Sequence, residues 1–475
     1  MCLAVVSPAF GQHDHRPPVV SAGDAVHVET TCKPTVTGMF DRGVGLLHAF
    51  SFTAALEAFR LVAHSDVDCT MAFWGTALAN WGVWHTTGSE AALIAGRRAL
   101  ESARHTRHGS AREHAYLEAV AIRFAGVPGD PFGAGQAYER AMARLSASYP
   151  DDLDAALFGA LALIERPERR LEDVRANRQR VWATLRARSA TPHPGLAHYL
   201  ILAADGPEAA AAALDAANGL AKLVTATPYT LHVPSHIYAA LGQWDRAIDA
   251  NLQSADAARQ RGLAADELHA LDTLTYALLQ AGRQDEAVAI ARRVTAAYGR
   301  TAEAGTRALD AHMAAAAIPA RVAIERGDWA AASQLPLPPS PGPAMTLTRL
   351  ARALGSARLG RHAEARAALP VLGPRDGAFT SLEHTVLAWT QLAEGRPTEA
   401  VTSLEQAVQL QASIGPIDLA FGYLVPPREA LGELLLEVGR PADARAAFER
   451  ALLDTPNRRR TLEGTAAAAG RIRGR

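Results

Sequence analysis

Two short segments share one layout of groups able to do chemistry. His193-Pro-Gly-Leu-Ala-His198 and His232-Val-Pro-Ser-His236 each give an imidazole, a proline suited to a helix's first turn, and a second imidazole. Further on, His269, Asp272 and Tyr276 are spaced i, i+3 and i+7 and therefore share one stripe of a helix. Trp244 and Asn251 lie between the second and third groups. Neutral imidazoles ligate Zn²⁺ or Cu²⁺ well, and three of them with one open position make the pattern of a catalytic metal centre. His193, His198, His232, His236 and His269 are the candidate ligands, with Asp272 as a further ligand or as a group orienting one. The same side chains can instead hydrogen-bond a bound peptide, a role that needs no cofactor, or simply cap their own helices. The HxxH of His105 and His108, with His114 beyond it, reads as a solvated helix face, and His13 with His15 as a weak flexible pair. No P-loop, dinucleotide glycine fingerprint, nucleophile elbow or HExxH is present, so no catalytic residue is assigned and an enzyme is not the expected reading.

The elements that must position these groups announce themselves through a repeat. A helical stretch ends at Gly, a polar turn follows, an Ala arrives five residues after the Gly, and an apolar residue follows four further on. Gly242 with Ala247, Gly282 with Ala287, Gly327 with Ala332, Gly360 with Ala365, Gly395 with Ala400 and Gly439 with Ala444 all keep the Gly-to-Ala spacing. Glycine supplies the left-handed conformation that ends a helix, and an acidic residue in the turn favours the next helix start. Alanine is expected where the two helices of a pair cross, because a larger side chain would force them apart. One such pair cannot bury its own apolar face, so neighbours must stack.

Composition agrees. The chain is 49% hydrophobic and 6% aromatic, with Ala runs such as Ala209 to Ala213, which suits close helix packing better than sheet. Its 48 basic residues nearly cancel 49 acidic ones, which argues against nucleic acid or an anionic membrane as partner, and no apolar run is long enough to span a membrane. The fold class expected is all-α, an α-solenoid of antiparallel helix pairs.

At this point the sequence resembles the tetratricopeptide repeat family. Leu431, Gly432, Ala444, Phe448, Ala451 and Pro456 match its pattern most fully; Gly43, Ala55 and Phe59 repeat the spacing, and Ala134, Tyr138 and Ala141 give a weaker copy. The histidine segments are similar to a bacterial, typically exported subfamily with HPGxxHYLIH and HxPSHIF-type motifs, although Leu202 and Tyr229 stand where that pattern carries further histidines. The resemblance implies a right-handed superhelix whose first helices line a concave groove, with the three histidine groups opening or lying on the first helices of consecutive repeats. It implies a scaffold that binds a peptide or partner protein through His193, His198, His232, His236, Trp244, Asn251, His269, Asp272 and Tyr276. The alternative is a metal-binding protein or metalloenzyme using the histidines among them, with Zn or Cu.

The organisation expected is a signal-peptide remnant over 1–11, a flexible leader over 12–37, a superhelix over 38–334, a Pro-rich linker over 335–343, further repeats over 344–458, and a basic capping tail over 459–475. Ala9-Phe10-Gly11 has the small-x-small pattern of a cleavage site, so export to a periplasm is expected, with a cytoplasmic chain as the alternative. Cleavage would leave Cys32 and Cys69, either joined as a disulfide or present as two buried thiols.

Overall fold

The computed structural model describes residues 26–82, 90–125, 131–166, 171–204, 207–223, 227–297, 306–339, 341–368, 377–414 and 424–474. The signal-like segment, His13 and His15 fall outside them. Among the described residues the chain is a stack of helices without a strand; one isolated bridge, between Cys69 and His108, is its sole sheet-like contact.

Consecutive helices pair and each pair packs on the next, which is the expected α-solenoid. The turn residues show why. Gly242, Gly282, Gly327, Gly360, Gly395 and Gly439 all have positive φ, between 65° and 79°. The alanines five residues later, from Ala247 to Ala444, are all fully buried. At the two ends of the array an aromatic ring fills the helix crossing. Phe59 lies so close to Gly43 and Gly75 that a Cβ at either would stand within 2.8 Å of its ring. Phe448 sits in the same way between Gly432 and Gly464. Each ring is thus clamped by its own repeat and by the next.

Packing continues across the Pro-rich segment. Trp329–Ser333 is a one-turn helix where a full second helix would stand, and Pro343 opens the Pro343–Arg358 helix. That helix packs against both Trp329–Ser333 and Thr306–Glu325. Gly355 permits the approach, since a Cβ there would meet the Ser333 nitrogen at 2.5 Å. The basic tail is a helix, Arg459–Arg473, that packs on Pro441–Asp454 and buries Thr461 and Ala468. No helix among the described residues is long and apolar enough to cross a membrane.

Cys32 and Cys69 are joined as a disulfide. Residues 26–31 lie along the first repeats: the Val28 amide donates to Asp41 at 3.1 Å and the Thr31 amide to Glu113 at 2.8 Å. The HxxH is not a helix face. The Glu90–Ala103 helix ends before His105, and His108 lies in the connection that precedes Ala111–Ala125, with its carbonyl bonded to the Thr70 hydroxyl.

Candidate metal centre

His232 and His236 reach the same point from a broken helix. The sequence expectation that His232 opens a helix is corrected: Thr227 and Thr230 form a capping box, Pro228 stands at the first turn, and His232 ends the Pro228–His232 helix. Thr227 is the better cap, because its hydroxyl accepts from a backbone amide that would otherwise go unpaired. Pro234, which has no N–H, starts the short Pro234–Ala240 helix that carries His236. Across this break the two histidines keep an i, i+4 relation, so their rings share a face. His269 comes from the next pair, on the Ala264–Gln280 helix.

The geometry at this face is tight. The His232 Nε2 lies 2.9 Å from the Nε2 of His236 and 2.9 Å from that of His269. His232 is buried and the other two are half-buried. The tautomer of His232 follows from its neighbour. Asn251 Nδ2 donates to the Ala247 carbonyl at 2.7 Å, which turns its Oδ1 toward His232 Nδ1, also at 2.7 Å. His232 Nδ1 therefore carries the proton, and its Nε2 presents a lone pair to the other two rings. Burial, with the neighbouring His269 and His236 rings adding to it, pushes the His232 pKa well below the usual histidine range, so this lone pair stays free at neutral pH. Asn251 occupies the position where the repeat pattern calls for an apolar residue, as at Phe448 and Leu404.

His193 and His198 belong elsewhere. His193 caps the Pro194–Ala203 helix as expected, its Nδ1 accepting from the Gly195 amide at 3.1 Å. Its Nε2 lies 3.5 Å from Asp154 Oδ1, which also accepts from His48 Nε2 at 2.8 Å. The Tyr199 hydroxyl completes the chain by donating to His48 Nδ1 at 2.9 Å. His48, Asp154 and His193 are close enough to suggest a second metal set, and all are buried. Their protons argue otherwise. A His193 that accepts at Nδ1 carries its proton on Nε2, which then points an N–H, not a lone pair, at the carboxylate. Burial alone would raise the Asp154 carboxyl, but the hydrogen bonds from His193 and His48 hold it below the usual carboxylate range. The group is a buried carboxylate solvated by imidazoles. Sequence reasoning missed His48, Asp154 and Tyr199; the glycine of His193-Pro194-Gly195 was the signal, since a Cβ there would meet His48 Nδ1 at 2.5 Å.

His198 donates from Nδ1 to the His48 carbonyl at 2.7 Å, and burial lowers its pKa to about 4. A histidine depressed in the folded state leaves stability unchanged above its unfolded value of about 6.5, where neither state binds the proton. Between about 6.5 and about 4 the unfolded chain takes up a proton that the folded chain refuses, so acidification over that window costs about 3 kcal/mol. His198→Asn, which keeps an N–H for the carbonyl, is expected to flatten the acid limb of a urea-unfolding pH series by that amount; an acid limb identical to that of the unmodified protein would contradict it.

Of the remaining predicted groove residues, Trp244 and Tyr276 face the chain's own C-terminal segment and Asp272 faces the Thr306–Glu325 helix. Asp272 pairs with Arg321, Nε to Oδ1 at 3.2 Å, and both are buried. Trp244 Nε1 donates to the Asn457 carbonyl at 2.9 Å, and Tyr276 accepts from Arg458 Nη1 at 3.3 Å. Gly242 makes room, for it has φ +65° and a Cβ there would meet the Pro456 oxygen at 2.4 Å. The structure therefore brings together His232, His236, His269 and Asn251, and places His193, His198, Asp272, Trp244 and Tyr276 in two other networks.

No protein-family model and no curated protein matches this chain. Among solved structures it is similar to the Cut9–Hcn1 hetero-tetramer of the APC/C, with 12% identity over 93% of this chain and 77% of that chain at a TM-score of 0.37. It is similar to yeast Tom70, with 9% identity over 92% of this chain and 89% of that chain at a TM-score of 0.33. The TPR domain of P58(IPK) is a further likeness, with 12% identity, 93% of this chain, 99% of that chain and a TM-score of 0.23.

Proposed function

We propose that the protein binds one transition-metal ion, Zn²⁺ or Cu²⁺, at His232, His236 and His269. One observation carries this reading: two further Nε2 atoms lie 2.9 Å from the single lone pair of His232. Three ring nitrogens converging at this spacing are what a single cation held between them needs, since it uses all three at once. Asn251 orients His232 as the outer partner of a metal-bound histidine does. A metal held by three histidines supplies a Lewis acid with one position open to water or substrate. The half-buried His236 and His269 leave that side of the centre reachable from solvent.

Calorimetric titration of the purified, metal-stripped protein with Zn²⁺ tests this. One ion per chain is expected, with His236→Ala and His269→Ala each weakening binding by at least about 100-fold and Asn251→Ala by about 10- to 100-fold. Failure to take up Zn²⁺ or Cu²⁺, or uptake unchanged by the two histidine variants, overturns the reading.

The stacked-pair architecture favours a second and broader role, a protein-interaction scaffold. A peptide reaches Trp244 and Tyr276 only by displacing Asn457 and Arg458, so a partner would use other faces of the stack or compete with that segment. A pull-down with the folded protein that recovers no specific partner counts against this role. The Cys32–Cys69 bond supports an oxidising compartment such as the periplasm.

A further inference from the structure

The segment from Pro456 to Arg460 reaches back across the array to the helix that carries Asn251 and the helix that carries His269. On Trp244–Gln260, Trp244 donates to the Asn457 carbonyl at 2.9 Å, and Asn251 lies two turns further along. On Ala264–Gln280, the Gln280 side chain accepts from the Arg459 amide at 3.1 Å and Tyr276 accepts from Arg458 at 3.3 Å. His269 and Asp272 lie on the stripe that Tyr276 continues. Along that stripe Asp272 pairs with Arg321, and both Arg321 and Arg458 lie over the Tyr276 ring, at 5.4 Å and 5.6 Å. The strap and the metal centre thus sit at opposite ends of one polar stripe on a single rigid helix.

The spacing at the centre makes this a mechanical link. Nitrogens bound tetrahedrally at about 2.0–2.1 Å from a Zn²⁺ stand about 3.3–3.4 Å apart. The ring nitrogens here stand 2.9 Å from His232, so a bound ion requires the rings to part by a few tenths of an ångström. His269 parts from His232 by turning its half-buried ring or by moving with its helix, and the second route carries the displacement along that helix to Tyr276 and Gln280.

We infer that Pro456 to Arg460 is a positioning strap, and that its docking over Trp244 and Tyr276 is thermodynamically coupled to metal binding at His232, His236 and His269. The inference rests on the three-histidine reading above. Coupling between two binding events is reciprocal: an ion that orders the centre must also tighten the strap, and a weakened strap must weaken ion binding by the same factor. Trp244 and Tyr276 touch no ligand atom of the centre and act through their helices.

Hydrogen exchange on the full-length chain with and without Zn²⁺, joined to calorimetry of Trp244→Phe, tests the coupling. Trp244→Phe keeps an aromatic side chain against Tyr276 and removes the donor to Asn457. Zn²⁺ is expected to slow amide exchange over 456–473, and Trp244→Phe to weaken Zn²⁺ binding about 5-fold or more. Val62→Ala, a buried change in the first repeats, is expected to lower the unfolding midpoint and leave Zn²⁺ affinity unchanged, which separates positioning from general loss of stability. Zn²⁺ binding to the unmodified protein with unchanged exchange over 456–473, or equal affinity in Trp244→Phe, overturns the coupling and leaves the metal reading standing. No binding to the unmodified protein removes both.

Discussion

Replacing Arg458 with alanine is expected to destabilise the protein by about 3–5 kcal/mol. The guanidinium is almost wholly buried and bonds carboxylates from two helices, Glu325 and Glu429, with Glu429 at 2.8 and 2.9 Å through its two oxygens. Burial works against every charge in this group. It would raise the Glu429 carboxyl, and the adjacent Arg458 instead holds it below the usual range. Without the arginine, Glu325 and Glu429 remain as buried carboxylates facing each other, and one must take up a proton or draw water into the core. The cost lies in the orphaned acids more than in the lost attraction, so neutralising them should recover much of it. Arg458→Met combined with Glu325→Gln and Glu429→Gln is expected to unfold at higher urea than Arg458→Ala alone. A loss below about 1 kcal/mol for Arg458→Ala would mean that water already reaches the network.

The array was legible because its code is short and steric. Gly242, Gly282, Gly327, Gly360, Gly395 and Gly439 each end a helix through a left-handed residue, and Ala247 and its equivalents are buried where helices cross. Both requirements are local and allow few residue types, so they survive in a single sequence. Beyond 458 the sequence reads only as a basic capping tail, although a signal for a packed helix exists. Gly464 stands sixteen residues after Phe448, as Gly75 stands after Phe59, and the same aromatic clamp forms at both ends. The run Arg458-Arg459-Arg460 suggests a basic capping tail and no more. Buried acids from distant helices decide otherwise for Arg458, and no local pattern announces them.

The site divided along the same line. His232 with His236 follows from i, i+4 spacing, and His269 from the register of the next repeat, so their meeting was readable. The assignment of His193 and His198 to the same group failed because their partners, His48 and Asp154, come from the first and fourth helical pairs. Helix capping by His193 fixes its tautomer, and a tautomer cannot be read from spacing. Asn251 is the most informative departure. A polar side chain at a position the repeat reserves for an apolar one must have a partner, and that partner is His232.

Breaking the Cys32–Cys69 bond is expected to lower stability by about 4 kcal/mol, from the chain entropy released when a loop of 37 residues is opened. The loss should be confined in space. In a stacked array each unit is stabilised by its neighbours, so a change at one end propagates weakly to the other. Residues 26–33 have no helix of their own and are held by side chains of the first repeats, Asp41, Glu113 and Asp66, with the Lys33 amide donating to Asp66 at 2.7 Å. Those contacts are few and set on a segment that regains its full freedom once untied, so it should release before the helices do. Cys69 is also the residue that starts the Thr70–Trp81 helix, so the second pair of helices loosens with it. Hydrogen exchange on the reduced protein, or on a Cys32→Ser and Cys69→Ser double variant, is expected to speed up over residues 26–82 while residues 427–473 stay protected. Equal loss of protection at both ends would show that the solenoid unfolds as a single unit. That result would tie the disulfide to the histidine centre as well, since the middle repeats would then share its fate.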